Sequence, residues 1–186
     1  MVRTSVIKGS NYSASIGGFT GVRVGDLEAF LSRLGRAAEP AVFQVFDAGM
    51  VAGWEHLFFA AVNAVKSFES GSPISRSLGI EALLHASCQD QISRAFEMMG
   101  VSEDSERVAL LVLAEGSGAV ELTYERVAGL LGDEDDSVLK VSEEKCVSIM
   151  EAFGISHAEL EAVGGPQEEA LGRAIVERGA LLGLRR

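Results

Sequence analysis

Three histidines and two cysteines are all that 186 residues offer to a transition metal. His56, His85 and His157 show no helical pair spacing and no HExxH, and Cys88 and Cys146 lie too far apart for a zinc-type pair. No metal centre is expected, and each histidine reads as structural or solvated. Two distant cysteines do not make a disulfide framework either. They read as reduced thiols, and the chain as cytoplasmic. Positive charge is also scarce. Lys and Arg number 16 against 27 Asp and Glu, for a net charge of -11. A generic basic nucleic-acid binder is excluded by that balance, although a small local basic site is not. No apolar run is long enough to cross a bilayer, and Met1 to Ser10 carries Arg3 and Lys8 without an apolar core. Neither a membrane span nor a secretory leader is expected.

What the chain does have is apolar material, 47% of its residues. That excludes disorder and suffices for the core of one domain spanning 1–186. The stretch from Ala41 to Phe96 organises it. Ala41-Val42-Phe43-Gln44-Val45-Phe46 reads as a buried central strand opened by Pro40. A helix follows from about Met50 to Phe68. Trp54, Leu57, Phe58, Ala61, Val62, Val65 and Phe68 recur on it at three- and four-residue steps, which makes one apolar face to lay on a sheet. Gly71-Ser72-Pro73 stops it.

Upstream, Val2 to Ile7 reads as a strand. Asn11 to Val24 is rich in glycine and serine, with Gly17-Gly18 and Gly21. It contains neither GxGxxG nor GxxxxGK[ST], so a phosphate-cradling loop is disfavoured against a pair of short strands joined by a turn. Asp26 caps a helix striped by Leu27, Phe30, Leu31 and Leu34. Downstream, a helix runs through Arg94 and Phe96 to Gly100. Val108 to Ala114 is a strongly apolar strand. Gly116-Ser117-Gly118 signals a turn, and Ala119 to Leu122 a second strand, which together predict a hairpin. Tyr124 to Leu131 reads as helical, and Asp133 to Asp136 as an acidic loop. Ser142 and Ser156 cap two further helices, with Glu143, Glu144 and Glu159 in their first turns. Pro166 starts the last helix, whose stripe is Leu171, Ala174, Ile175, Leu181 and Leu182, and Arg185 and Arg186 close it. Strands and helices do not alternate regularly. The fold class is therefore α/β of the α+β type: a mostly antiparallel sheet with surrounding helices.

Catalytic chemistry finds little support. His85 stands near Ser87-Cys88, but a nucleophile needs a positioned base and an orienter, which adjacency does not supply. The clusters at Glu103-Asp104 and Asp133 to Asp136 lack the periodicity of a calcium loop. A binding module is the leading class. The last helix offers either a core stripe or a partner surface. Lys66, Arg76 and Arg94, with nearby Ser75, Ser77, Gln89 and Gln91, offer either an ordinary surface or a small basic patch.

A resemblance favours the binding readings. Val45-Phe46-Asp47-Ala48, Gly53-Trp54-Glu55-His56 with Ala60-Ala61, Ser75-Arg76-Ser77-Leu78-Gly79-Ile80-Glu81 and Gln91-Ile92-Ser93-Arg94-Ala95-Phe96 stand in this order. Met99-Gly100-Val101 and the strand Val108 to Ala114 follow. The set resembles the kinase-binding subunit family of the KEOPS complex, which has archaeal members and the human relative TPRKB, over most of the chain from Pro40 onward. The resemblance implies a mixed fold of antiparallel sheet and helices, no enzymatic activity and no cofactor. It implies binding to the small KEOPS kinase, which acts as an ATPase, and capture of tRNA by its 3′ CCA end. It links the chain indirectly to the threonylcarbamoyltransferase subunit, in making threonylcarbamoyl-adenosine. On that reading Lys66, Ser75, Arg76, Ser77, Gln91 and Arg94 are the expected tRNA contacts. Leu171, Ile175 and Leu182 are the expected kinase contacts. The competing readings are a small-molecule enzyme using the Gly-rich loop and Cys88, and a structural protein dimerising through its last helix.

Overall fold

The computed structural model describes residues 3–184. Val2, Arg185 and Arg186, which the sequence places in the first strand and at the end of the last helix, lie outside them. Five strands form one antiparallel sheet: β1 (Arg3–Val6), β2 (Tyr12–Thr20), β3 (Val42–Asp47), β4 (Val108–Glu115) and β5 (Asp133–Glu134). Their order is β1-β2-β4-β3, with β5 pairing the end of β2. The helices are α1 (Leu27–Ala38), α2 (Trp54–Glu69), α3 (Leu78–Ser87), α4 (Ile92–Met99), α5 (Ser117–Ala128), α6 (Glu143–Phe153), α7 (His157–Val163) and α8 (Gln167–Leu181).

The central strand is β4. Its seven residues from Val108 to Ala114 are all buried, and they alternate between two cores. Ala109, Leu111 and Leu113 join the core made with α2, α3, α6 and α8. Val108, Leu110, Val112 and Ala114 join the core made with α1 and α5. Period-two alternation on a strand covered on both faces yields an unbroken apolar run. The predicted central strand, β3, pairs only with β4 and is an edge. Its apolar run is explained by α3, which covers it. A Cβ on Gly79 would stand 2.6 Å from the Phe43 carbonyl oxygen.

Two further expectations are corrected. The Gly-rich segment is the single nine-residue strand β2, not two short strands, and its turn precedes it, where Ile7 N–H bonds the Tyr12 carbonyl at 2.9 Å. Gly17 sits inside that strand, where an added Cβ would strike the Tyr124 hydroxyl. Its glycine makes room for an aromatic ring and cradles no phosphate. The hairpin after β4 does not form either. Gly116, at φ 82°, leads directly into α5. Val120, Thr123, Tyr124 and Val127 bury one helical stripe there, and the neighbours of β4 are β2 and β3.

Caps fall where expected. Asp26 Oδ1 accepts from the Ala29 N–H at 2.7 Å, and Ser142 and Ser156 accept from Lys145 and Glu159 at 3.2 Å. Glu159 does not reach back to complete a capping box. It takes both oxygens to Arg178 of α8, at 2.8 Å each, and Arg178 also donates to the carbonyls of Phe153 and Gly154 at the end of α6. One guanidinium thus ties three helices together.

Candidate functional site

The α8 stripe is core. Leu171 and Ile175 are 0% and 1% exposed and Leu182 is 3%, all in the cluster built on the sheet. As partner contacts these three are corrected, because no partner reaches a side chain already enclosed. The physical reason is close helix packing. A Cβ on Gly179 would lie 2.6 Å from the His85 carbonyl oxygen of α3, and one on Gly172 would lie 3.1 Å from that of Ala52. The end of the chain is therefore woven into the middle of the fold.

The outer side of the same helix does offer a surface. A groove of about 640 Å³ runs between the start of α2 and the first half of α8. Ala52, Phe59, Val141 and Val176 supply its apolar floor, and Glu55, Glu168 and Glu169 its acidic rim, with Lys140 and Arg173 the lining cations. Phe59 is 42% exposed. The sequence pattern had already set Phe59 off the buried face of α2. What it lacked was the apposition of α8.

The expected tRNA contacts are dispersed along α3. Lys66 ends α2, and Ser75, Arg76 and Ser77 lie in the link to α3. Gln91 and Arg94 start α4, beyond the far end of α3. Ten helical residues separate the two groups by roughly 15 Å. No hydrogen bond or ion pair among the described residues joins them. Lys66, Arg76, Ser77, Gln91 and Arg94 are exposed. Ser75 is 6% exposed and spent on structure, its hydroxyl accepting from the Ser77 N–H at 3.0 Å. It is corrected from contact to scaffold. Ser77 is partly engaged as well, since its hydroxyl caps α3. Sequence reasoning missed a pair of apolar side chains beside Arg94. Ile92 and Phe96 are 41% and 39% exposed, one turn apart on α4. The signal was available: Ala95 and Met99 bury one stripe of this helix, and Ile92 and Phe96 form a second that stays partly exposed.

Below this surface lies a buried polar cluster that fixes the link. Glu81 is fully buried and accepts from the backbone N–H groups of Ile74 and Ser75, at 2.9 and 2.8 Å. Burial pushes its carboxyl upward. Hydrogen bonds from His85, Ser75 and Ile74 outweigh that and hold it below the usual value. His85 Nδ1 donates to the Gly179 carbonyl at 2.9 Å, and its Nε2 lies 3.2 Å from Ser67 Oγ and 3.6 Å from Glu81. The cluster joins α2, α3 and α8 behind Arg76. Its histidine is therefore structural and is engaged away from Cys88. Cys88 itself, at φ 55°, ends α3, and its Sγ lies 3.6 Å from the Ile175 carbonyl. Among the described residues no cluster of three metal-ligating side chains occurs, and no helix is long and apolar enough to cross a membrane.

Known proteins place this arrangement. The family described as kinase binding protein CGI-121 matches residues 23–182. The chain belongs to that family. The regulatory protein Cgi121 of Methanocaldococcus jannaschii is 32% identical over 114 residues, which cover 61% of this chain and 70% of that protein.

Proposed function

We propose that this chain is a non-catalytic subunit of a KEOPS-type complex that binds the small kinase and brings tRNA to it by the 3′ CCA end. The observation that carries this reading is the family match over residues 23–182, under a description that names kinase binding. The kinase seats on the α2–α8 groove. An exposed aromatic on an apolar floor ringed by charge is the usual form of an interface anchor, and Phe59 holds that position. The acidic rim of Glu55, Glu168 and Glu169 selects a basic partner face.

The CCA tail lies along α3 and α4. Arg76 and Lys66 meet phosphates at one end and Arg94 at the other. Phe96 and Ile92 give the bases an apolar surface to stack on, and Gln91 reads base edges. A three-nucleotide strand suits this dispersed arrangement, because single-stranded ends are held by a few separate contacts and need no broad basic face. The subunit thereby supports threonylcarbamoyl-adenosine formation by the transferase.

Two measurements test the reading. Pull-down with the cognate kinase should recover a complex at micromolar concentration, and none at that concentration refutes the first half. The tRNA half rests on comparing intact tRNA with tRNA lacking CCA. Equal affinity for the two removes tail capture.

A further inference from the structure

The cavity beside the start of α6 has no place in that reading. About 410 Å³ in volume, it lies between the 3-10 turn Ala48–Met50, the 3-10 segment Asp136–Leu139 and the first turn of α6. Its cations are Arg107, Lys140 and Lys145. In a chain with 27 acids and 16 bases a cation would ordinarily find a carboxylate. Among the described residues none of these three has one within salt-bridge distance, the ion pairs there being His85–Glu81 and Arg178–Glu159.

The nearby carboxylates are engaged elsewhere. Asp47 accepts from the Gly49 N–H at 2.8 Å and the Ser105 hydroxyl at 3.0 Å. Asp135 accepts from the Ser137 N–H at 2.9 Å. Glu144 lines the cavity as an exposed acid whose carboxylate makes no hydrogen bond or ion pair among the described residues. Lys145 Nζ donates to the carbonyls of Val138 and Lys140 at 2.7 and 3.1 Å, which leaves one of its three N–H groups over. Burial, with the Arg107 charge added, draws its pKa down to about 8 against the pull of Asp47. The cavity therefore holds three cations together with no carboxylate paired to any of them among the described residues. The N-terminus of the eleven-residue α6 adds a positive dipole end. Donors from three separate segments suit an anion with several acceptor oxygens in three dimensions better than a planar carboxylate.

We propose that this cavity binds a phosphate group through Arg107, Lys140 and the remaining N–H of Lys145. The phosphate is supplied by a free phosphomonoester or by the internucleotide linkage of an RNA strand. The inference uses none of the tRNA residues assigned above and needs no partner protein, and of the α2–α8 groove it shares Lys140 alone.

The test is a titration of the full chain with inorganic phosphate, exchanged for chloride at constant ionic strength and followed through backbone amides by NMR. Saturable shifts confined to the segments around Arg107 and from Ser137 to Ser148 are expected. Arg107 is exposed and lines no part of the α2–α8 groove, so Arg107→Gln should keep its fold and weaken binding at least about tenfold. Glu144→Gln should tighten it, an effect that no structural role of these residues produces. A second arm uses the trinucleotide CpCpA without a terminal phosphate. Saturation by inorganic phosphate assigns a monoester site. Saturation of the same amides by CpCpA alone assigns the internucleotide linkage. Failure of both probes to saturate these amides, or equal affinity in Arg107→Gln, overturns the proposal. The kinase pull-down is indifferent to either result, so the two readings fail separately.

Discussion

His56 is held by two backbone groups and by no charge. Its Nδ1 accepts from the Ala52 N–H at 3.0 Å, and its Nε2 donates to the Ala86 carbonyl at 2.8 Å. Only neutral imidazole makes both bonds, because a second ring proton would face the Ala52 N–H. Burial, opposed by the Ala86 bond and reinforced by Lys145, lowers its pKa from 6.5 to about 4. The unfolded chain thus takes up a proton well before the folded one does. The His56 contribution to stability should be level above pH 7 and fall as pH drops from 6.5 toward 4, by about 2 kcal/mol between pH 7 and pH 5. Denaturant midpoints at those two pH values, in wild type and in His56→Gln, check it. The glutamine variant should be weaker at pH 7 and nearly flat across the window. Glu81 does not confuse the result. Its carboxyl is held low, so its contribution is lost only as pH falls below its ordinary value of 4.5. In the sequence His56 had no legible role beyond being structural, since both its partners are main-chain groups, one of them thirty residues away.

Elements were legible where local chemistry decides them, and illegible where distant neighbours do. Asp26, Ser142 and Ser156 announce their helices, because a cap is a contact over three residues. The antiparallel sheet followed from the irregular order of strands and helices. The stretch from Gly116 to Leu122 was misread, because a glycine before alternating residues suits a hairpin as well as a helix start. What decides is that the flanks of β4 are already taken by β2 and β3. The α8 stripe was ambiguous for the same reason: period alone does not say whether an apolar face meets the core or a partner. Two substitutions separate those roles. Ile175→Arg places an unpaired charge at a site 1% exposed and should cost more than about 3 kcal/mol, with loss of the folded circular dichroism signal. Phe59→Ala should leave thermal unfolding nearly unchanged and weaken kinase binding by about 2 kcal/mol, read by calorimetry. Gly79→Ala examines the covering of β3. Alanine ordinarily favours a helix by up to about 1 kcal/mol over glycine. Here its Cβ would press on the Phe43 carbonyl, so the net effect should be a loss of about 1–3 kcal/mol in chemical denaturation.

At the scale of the whole molecule, an acidic protein must hold an anionic ligand against its own field. A net charge of -11 repels a polyanion at distance, so the proposed tRNA capture must rest on contacts that are few and short in range. Arg76, Lys66 and Arg94 are exposed, and among the described residues no carboxylate lies within salt-bridge distance of them. They can neutralise about three phosphates of a single strand at most. Each releases about 0.7 of a counterion, so a plot of log affinity against log salt should slope at about -2. On the proposed reading, base stacking on Phe96 and apolar contact with Ile92 carry the remainder and do not depend on salt. Filter binding of a CCA-ended RNA between about 50 and 200 mM salt measures that slope, with Phe96→Ala and Arg76→Ala as partners in the comparison. Phe96→Ala should lower affinity and leave the slope alone. Arg76→Ala should lower affinity and make the slope shallower by about 0.7, with kinase pull-down unaffected by either. A slope steeper than about -5 in the wild type would mean that many phosphates are engaged, and would replace tail capture by adhesion of the whole tRNA body.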